Sequence, residues 1–404
     1  MKFNFFHKQE LKLLWPFYVF TFMSGFVMVV MPFLVIYYQG RGFSLFEISI
    51  LWSVMALVRL ISEVPTGVIA DVFGRKVSAV SGFFLTSFLW IFVPFVSYSY
   101  WALLILMVLL AISQTLITGA LDAWVYDWLK HNKQKKLISN YYTKRPALAL
   151  SGFIIGPFIG GLLVTFVKID WLFFIEGIGG SLLCLILLLF AKEHFKRKKY
   201  NTKQKFHQMV QTTKKGFSFI FSENKFKLML VASVSFAGWI AVNELASQPF
   251  LKDLGMPISY LGFFFSILGI FTAFAPFLGN LLAKKIGEKS VFILSALGIF
   301  LLSLLVIFTK QPYYSVGATL LILMWIAFFV QQPAFRTHIQ HLLPSKTRAT
   351  ILSAESMLES VVYAAIMVSS GFIMTIFSPK VGLVIAGLFM IPAILSFTFI
   401  KEKK

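Results

Sequence analysis

The sequence predicts an all-α integral membrane protein: twelve transmembrane helices in two pseudo-symmetric six-helix bundles. Three observations carry that reading. First, 58% of the 404 residues are hydrophobic and only 13% are charged, with a mean hydropathy of +0.82. A soluble domain carries about 25% charged residues, so this chain cannot cover a water-facing surface and its exterior must face lipid. Second, the apolar residues fall into twelve runs, each near the ~20 residues that a span requires. Third, almost all of the 37 Lys and Arg lie between those runs. The net charge of +21 would point to nucleic acid in a soluble protein. Here membrane topology accounts for the clusters, and no nucleic-acid partner is expected.

The first twelve residues carry Lys2, Lys8 and Lys12 and should stay in the cytoplasm. The run Leu13–Tyr37 is too long for a signal-peptide core and is followed by no small-residue cleavage pattern, so it reads as the first span. The twelve spans are expected at 15–37, 46–69, 78–97, 100–128, 146–167, 171–191, 227–250, 258–282, 290–309, 313–335, 349–377 and 381–400. In lipid every backbone group has to be satisfied internally, which makes them helices. Their continuous apolar character excludes the alternating pattern of an outer-membrane barrel.

Orientation follows from the loop charges. With both termini inside, the cytoplasmic segments hold 31 Lys and Arg and the outer loops hold 5: Arg41, Lys168, Lys252, Lys310 and Lys380. An odd number of spans would spoil that asymmetry. The longest cytoplasmic connection divides the chain into a bundle at 1–191, a basic linker at 192–226 and a bundle at 227–404. Within the linker, Phe206, Met209, Val210, Phe217 and Ile220 alternate with lysines. That pattern fits both a solvated linker helix and a segment lying on the anionic inner leaflet. The single cysteine, Cys184, excludes an intramolecular disulfide and a Cys-based zinc site. Lysine in excess of arginine and 47 Phe point to an AT-rich bacterial genome, hence to the cytoplasmic (inner) membrane of a bacterium.

One loop carries a signature. After the second span the chain reads Gly67-Val-Ile-Ala-Asp71-Val-Phe-Gly74-Arg75-Lys76. This resembles the G-x-x-x-D-x-x-G-R-K motif between the second and third helices of the major facilitator superfamily, whose plan is also six plus six. Gly74 permits a tight turn. The resemblance implies that Asp71 faces the N-terminus of the eleventh helix, where the dipole favours an anion, and that Arg75 pairs with Asp127. Together they would latch the outward-facing state. The second half repeats the loop weakly at Gly279-Asn-Leu-Leu-Ala283-Lys-Lys-Ile-Gly287-Glu-Lys289, with Ala283 in place of the acid. The fifth span reads Gly152-Phe-Ile-Ile-Gly156-Pro157-Phe-Ile-Gly160-Gly161. It is similar to the G-x-x-x-G-P-x-x-G-G pattern of the antiporter branches, mainly drug:proton antiporters. Small residues at this spacing also simply let helices pack closely, and Pro157 allows a bend.

Ionisable residues within spans are costly and are functional candidates by default. Arg59 and Glu63, four apart on the second span, share a face and lie roughly 18 and 12 Å from Asp71 along the helix. Glu355 and Glu359 repeat the spacing on the eleventh. In the superfamily these two helices meet, so Arg59 is expected either to neutralise Glu63 or to pair with Glu359 in one state. Gln114, Thr118 and Asp122 form a polar stripe on the fourth span, and Asp122 is a candidate protonatable acid, since burial raises a carboxyl pKa. The resemblance places the first, fourth, seventh and tenth helices around a central cavity. The lining candidates are then Tyr18, Phe22, Met28, Gln114, Thr118, Asn243, Glu244, Trp325 and Gln332, an aromatic and Met-bearing set that suits varied hydrophobic ligands. Glu176 reads as structural. His338 and His341 read as a solvated helix end, and no metal is expected.

The missing G-x-x-x-x-G-K-[ST] argues against direct ATP drive. The resemblance implies a proton-coupled secondary active transporter, not an enzyme, that exports small amphipathic or lipophilic compounds by alternating access. Uptake symport of a small metabolite and lipid flipping are the alternatives. The expected partners are a small-molecule substrate, protons and membrane lipids, with no cofactor and a monomeric chain.

Overall fold

The structure is a computed structural model that describes residues 6–194, 214, 216–219, 221, 224–343 and 348–399. Helices dominate and no strand occurs among the described residues. Among the described residues, eleven segments are long and apolar enough to cross a membrane. The third expected span is the exception. It is built from two pieces, Arg75–Trp90 and Val93–Val96, with Pro94 placed in the first turn of the second, where its missing N–H costs nothing.

Other spans are interrupted too. The first runs Lys8–Phe26, leaves the helix, and resumes through a 3-10 turn at Met31–Phe33 into Leu34–Gly40. The fourth stops at Thr115 and restarts at Ala120, where Gly119 takes φ 76°, a backbone region open to glycine. The polar stripe read across 114–122 is therefore not one helix face. Longer unbroken helices follow at Leu45–Phe73, Lys136–Leu163 and Ile169–Phe190. The later spans are Asn224–Asp253, Ile258–Ile286, Glu288–Leu305, Tyr314–Leu342 and Arg348–Ile376, ending with the pair Pro379–Leu388 and Met390–Phe399.

The turns at Gly74 and Gly287 match in conformation, with φ/ψ of 105°/149° and 84°/152°. Each opens the next helix directly. The weak sequence repeat between the halves thus corresponds to a repeated backbone turn.

The chain divides into two compact units. One comprises Met1–Leu34, Ile61–Asn201 and Phe265–Gly269; the other comprises Val35–Leu60, Thr202–Phe264 and Ile270–Lys404. This division differs from a cut at the linker because residues 35–60 are bonded into the second unit. Val35 N donates to Gln248 Oε1 at 2.9 Å, Phe46 N to Thr375 Oγ1 at 2.9 Å and Ser53 Oγ to the Ala364 carbonyl at 2.9 Å. Of the expected amphipathic linker segment, Phe206, Met209, Val210 and Ile220 lie outside the described residues, as do the two chain ends.

The first unit pairs span one with span five and span three with span six. The glycine stripe explains the first pairing. A Cβ at Gly152 would overlap the Phe22 carbonyl oxygen and one at Gly160 that of Val29; at Gly156 it would lie 2.6 Å from the Phe26 oxygen. The core at the end bearing Gly74 gathers Leu14, Phe17, Trp124, Leu129 and Leu187, all nearly inaccessible. In the second unit, span seven packs on eleven and twelve, and span nine on ten and twelve. Bulky apolar side chains stay exposed on many spans, among them Leu189, Phe274 and Phe277, as lipid contact requires.

Candidate functional site

The polar residues gather into three groups and one cavity. The first group is the loop signature. Arg75 Nη1 donates to Asp127 Oδ2 at 2.6 Å and to the Ala123 carbonyl at 2.7 Å. Lys76 Nζ donates to the carbonyls of Leu188 and Ala191, at 2.8 and 2.7 Å. Those carbonyls end the sixth-span helix, so Lys76 is a cation at a helix C-terminus. Glu193 answers it: Oε1 accepts from the backbone N–H of Arg75 at 2.7 Å and of Lys76 at 3.1 Å, capping the third-span helix. Each helix end thus supplies the other's cap. Sequence reasoning misses Glu193, although an acid just after an apolar run is the available signal. Gly67 faces open space, and Asp71 is half-buried.

The second group lies nearby. Glu10 is fully buried, 2.7 Å from Lys144 Nζ through each of its carboxylate oxygens, and accepts from Tyr18 OH at 2.6 Å. Tyr18, expected to line a cavity, is instead buried, with its ring stacked 6.1 Å from Tyr141, because Glu10 draws its hydroxyl inward. Asp122 accepts from Arg145 Nη1 at 2.8 Å, both side chains about one-third exposed. Thr118, in the break of span four, is exposed and bonds the Thr115 carbonyl at 3.1 Å.

A third group lies in the second unit. Tyr363 OH donates to Glu244 Oε2 at 2.5 Å, and the charge of Arg59 acts on both residues. Arg59 Nε also bonds the Met55 carbonyl at 3.3 Å. Glu359 feels Arg336 and Glu355 instead, and the expected Arg59–Glu359 pair is not formed among the described residues. Glu63 is exposed. Ser233 Oγ donates to Glu355 Oε1 at 2.5 Å, and Glu359 follows one helical turn later on the same span, where the charge of Glu355 acts on it. One carboxylate is therefore held by a hydroxyl, with a second a helical turn away. Beside them, Trp239 packs on Trp325 at 4.9 Å and Phe328 at 5.2 Å. Asn243 Nδ2 bonds the Trp239 carbonyl at 2.9 Å. Gln331 is fully buried with neither amide atom bonded among the described residues, while Gln332 is half-buried. His338 Nδ1 lies 3.7 Å from Glu288; the His341 side chain lies outside the described residues. No cluster of three or more metal-ligating side chains occurs among the described residues.

The cavity, of about 620 Å³, lies within the first unit. Met28 and Gln114 line it, as expected of them, and so does Glu176. Phe22 is half-buried beside Phe26, with ring centroids 6.3 Å apart.

The family model described as the Major Facilitator Superfamily matches residues 14–367 and 228–404. The chain belongs to the Major Facilitator Superfamily. It is therefore a membrane transporter and not an enzyme. Similar superfamily proteins include the uncharacterized MFS-type transporter YxaM of Bacillus subtilis (strain 168), 26% identical over 96% of both chains. Another is the multidrug resistance protein MdtG of Proteus mirabilis (strain HI4320), 25% identical over 77% of this chain and 76% of that one. Among solved structures, the nucleoside transporter NupG superposes with a TM-score of 0.73 at 13% identity, covering 97% of this chain and 98% of its own. That likeness is one of fold.

Proposed function

We propose that the protein is a proton-coupled exporter of small amphipathic or lipophilic compounds, working by alternating access in the cytoplasmic membrane of a bacterium with both termini inside. It would work as a monomer among membrane lipids, as two halves, 1–191 and 227–404, joined by the basic linker. The observation that carries proton coupling is the pair Glu355 and Glu359, one helical turn apart on span eleven, with Ser233 donating to Glu355. Among the described residues, Arg336 is the single cation acting on the two acids, which leaves one negative charge for a proton to cancel. Uncompensated charge at membrane depth is expensive, so loading and unloading that proton shifts the balance between conformations. Glu244, held by Tyr363 and within reach of the Arg59 charge, is the second acid in this reading.

Export rather than uptake is supported by the glycine stripe of span five and by the resemblance to MdtG, which is named for multidrug resistance. The contact of Arg75 with Asp127 supports the latch reading of the loop signature, with Gly67 and Asp71 as its other members. The test is reconstitution in liposomes with a pH dye inside and an imposed proton gradient. Lipophilic cations, neutral drugs and metabolites are then added in turn. Proton movement opposite to compound movement is expected. Co-directional movement would make the protein a symporter and reduce the span-five pattern to packing.

A further inference from the structure

Glu176 is the lone ionisable residue lining the 620 Å³ cavity among the described residues. Spans one, three, four, five and six form its walls, all within the first unit. The volume falls in the range of roughly 300–1,000 Å³ that accommodates drug-sized ligands. Glu176 is 8% exposed. Its Oε2 accepts from Val30 N at 3.2 Å. Val30 lies in the break of the first span, between Phe26 and the turn at Met31–Phe33, where its N–H has no helical carbonyl to bond. No charged side chain acts on Glu176 among the described residues. One carboxylate oxygen is thus oriented by the backbone, and the other is left without a partner among the described residues, beside an otherwise uncharged space.

The wall is chemically specific. Phe83, Trp90 and Phe153 present rings and Met28 and Met31 present thioethers. Rings attract a cation through their faces, and thioethers adapt to irregular apolar shapes. Gln114 is the only amide in the described wall, with a few hydroxyls besides. An anionic ligand would find no positive side chain in the described wall. A cation would draw the Glu176 carboxyl into its charged form and be neutralised by it.

We propose that this cavity is a binding site for a monovalent lipophilic cation, a protonated amine or an onium ion with an aromatic body, and that Glu176 is its counter-ion. The inference narrows the substrate class of the proposed exporter. It rests on that reading for its physiological meaning alone, since binding is measured without transport.

The test uses the purified full chain in detergent and two probes of similar bulk, tetraphenylphosphonium and uncharged triphenylphosphine oxide, with binding read by calorimetry. Glu176→Gln is expected to weaken tetraphenylphosphonium at least tenfold and to leave the oxide within about twofold, while Glu176→Asp keeps most of the cation affinity. Leu150→Trp, which fills the cavity from span five, should weaken both probes. Should Glu176→Gln fail to fold, the aspartate and tryptophan variants decide. Equal cation affinity in wild type and Glu176→Gln, or in wild type and Leu150→Trp, overturns the assignment. If the cation binds through Glu176 but is not exported by proteoliposomes, the export reading fails and the site stands. If it is exported but Glu176→Gln binds it unchanged, the site fails and export stands.

Discussion

Gly152 on the fifth span lies under the carbonyl oxygen of Phe22 on the first, with no room between them for a Cβ. The same close approach recurs at Gly156 and Gly160, so the stripe is first of all a seam between two helices. Gly152→Ala forces the helices apart, and overpacking of this kind costs roughly 1–3 kcal/mol. Thermal unfolding in detergent should show a lower Tm for Gly152→Ala and for Gly160→Ala. A methyl group added at Gly298, on span nine, would meet nothing within 4 Å. Gly298→Ala should therefore leave Tm unchanged or raise it, since alanine is favoured over glycine in a helix.

Arg75 and Glu193 divide two tasks. The Arg75–Asp127 pair is exposed by 29% and 51% on its two sides, and pairs of that kind are worth about 0–1 kcal/mol. Glu193 caps two backbone N–H groups, and loss of a cap costs about 1 kcal/mol. Glu193→Ala should therefore lower Tm at least as far as Arg75→Ala, whereas Arg75→Ala should cause the greater loss of transport rate in proteoliposomes. A large fall in Tm with Arg75→Ala would assign that residue to stability instead.

Glu359 is expected to carry coupling rather than folding. In Glu359→Gln the protein should still exchange labelled substrate across a vesicle membrane but should no longer concentrate it under a proton gradient. Gradient-driven accumulation surviving in both Glu359→Gln and Glu355→Gln would remove the acid pair from the mechanism.

Arg59 tests the geometry directly. The charge exchange Arg59→Glu with Glu244→Arg should recover part of the transport lost in each single variant. The exchange of Arg59 with Glu359 should recover none, because Glu359 answers to Arg336. Recovery in the second exchange alone would restore the pairing expected from the sequence.

Asp122→Asn should leave proton coupling intact and cost no more than about 1 kcal/mol of stability, since its partly exposed partner Arg145 makes the pair an ordinary surface one. Uncoupled transport in this variant would return Asp122 to the mechanism.

The spans are legible in the sequence because lipid demands long apolar runs, and the loop signature because its turn is local: Gly74, Arg75 and Lys76 act within reach of their own helix ends. The interruptions are not. Leu116-Ile-Thr-Gly119 holds no proline and no charge to mark a break within its apolar run, yet the helix stops there. Tyr18 reads as an aromatic on a cavity-facing span until Glu10, eight residues earlier, is seen to take its hydroxyl. Glu176 reads as structural because its one partner is 146 residues away in sequence, and its surroundings come from five helices. Single polar groups inside apolar runs acquire their meaning from tertiary neighbours, which periodicity does not encode.

The mutual capping of the third and sixth helices also fixes where the chain can be divided. A co-expressed pair of fragments cut after His194 keeps Glu193 on the first fragment, with the backbone of Arg75 and Lys76 that it bonds. A cut before Glu193 would transfer that acid to the other polypeptide and leave the start of the third-span helix bare within a fragment that has to insert and fold alone. Fusion partners, affinity handles and protease sites accordingly belong on the far side of that residue.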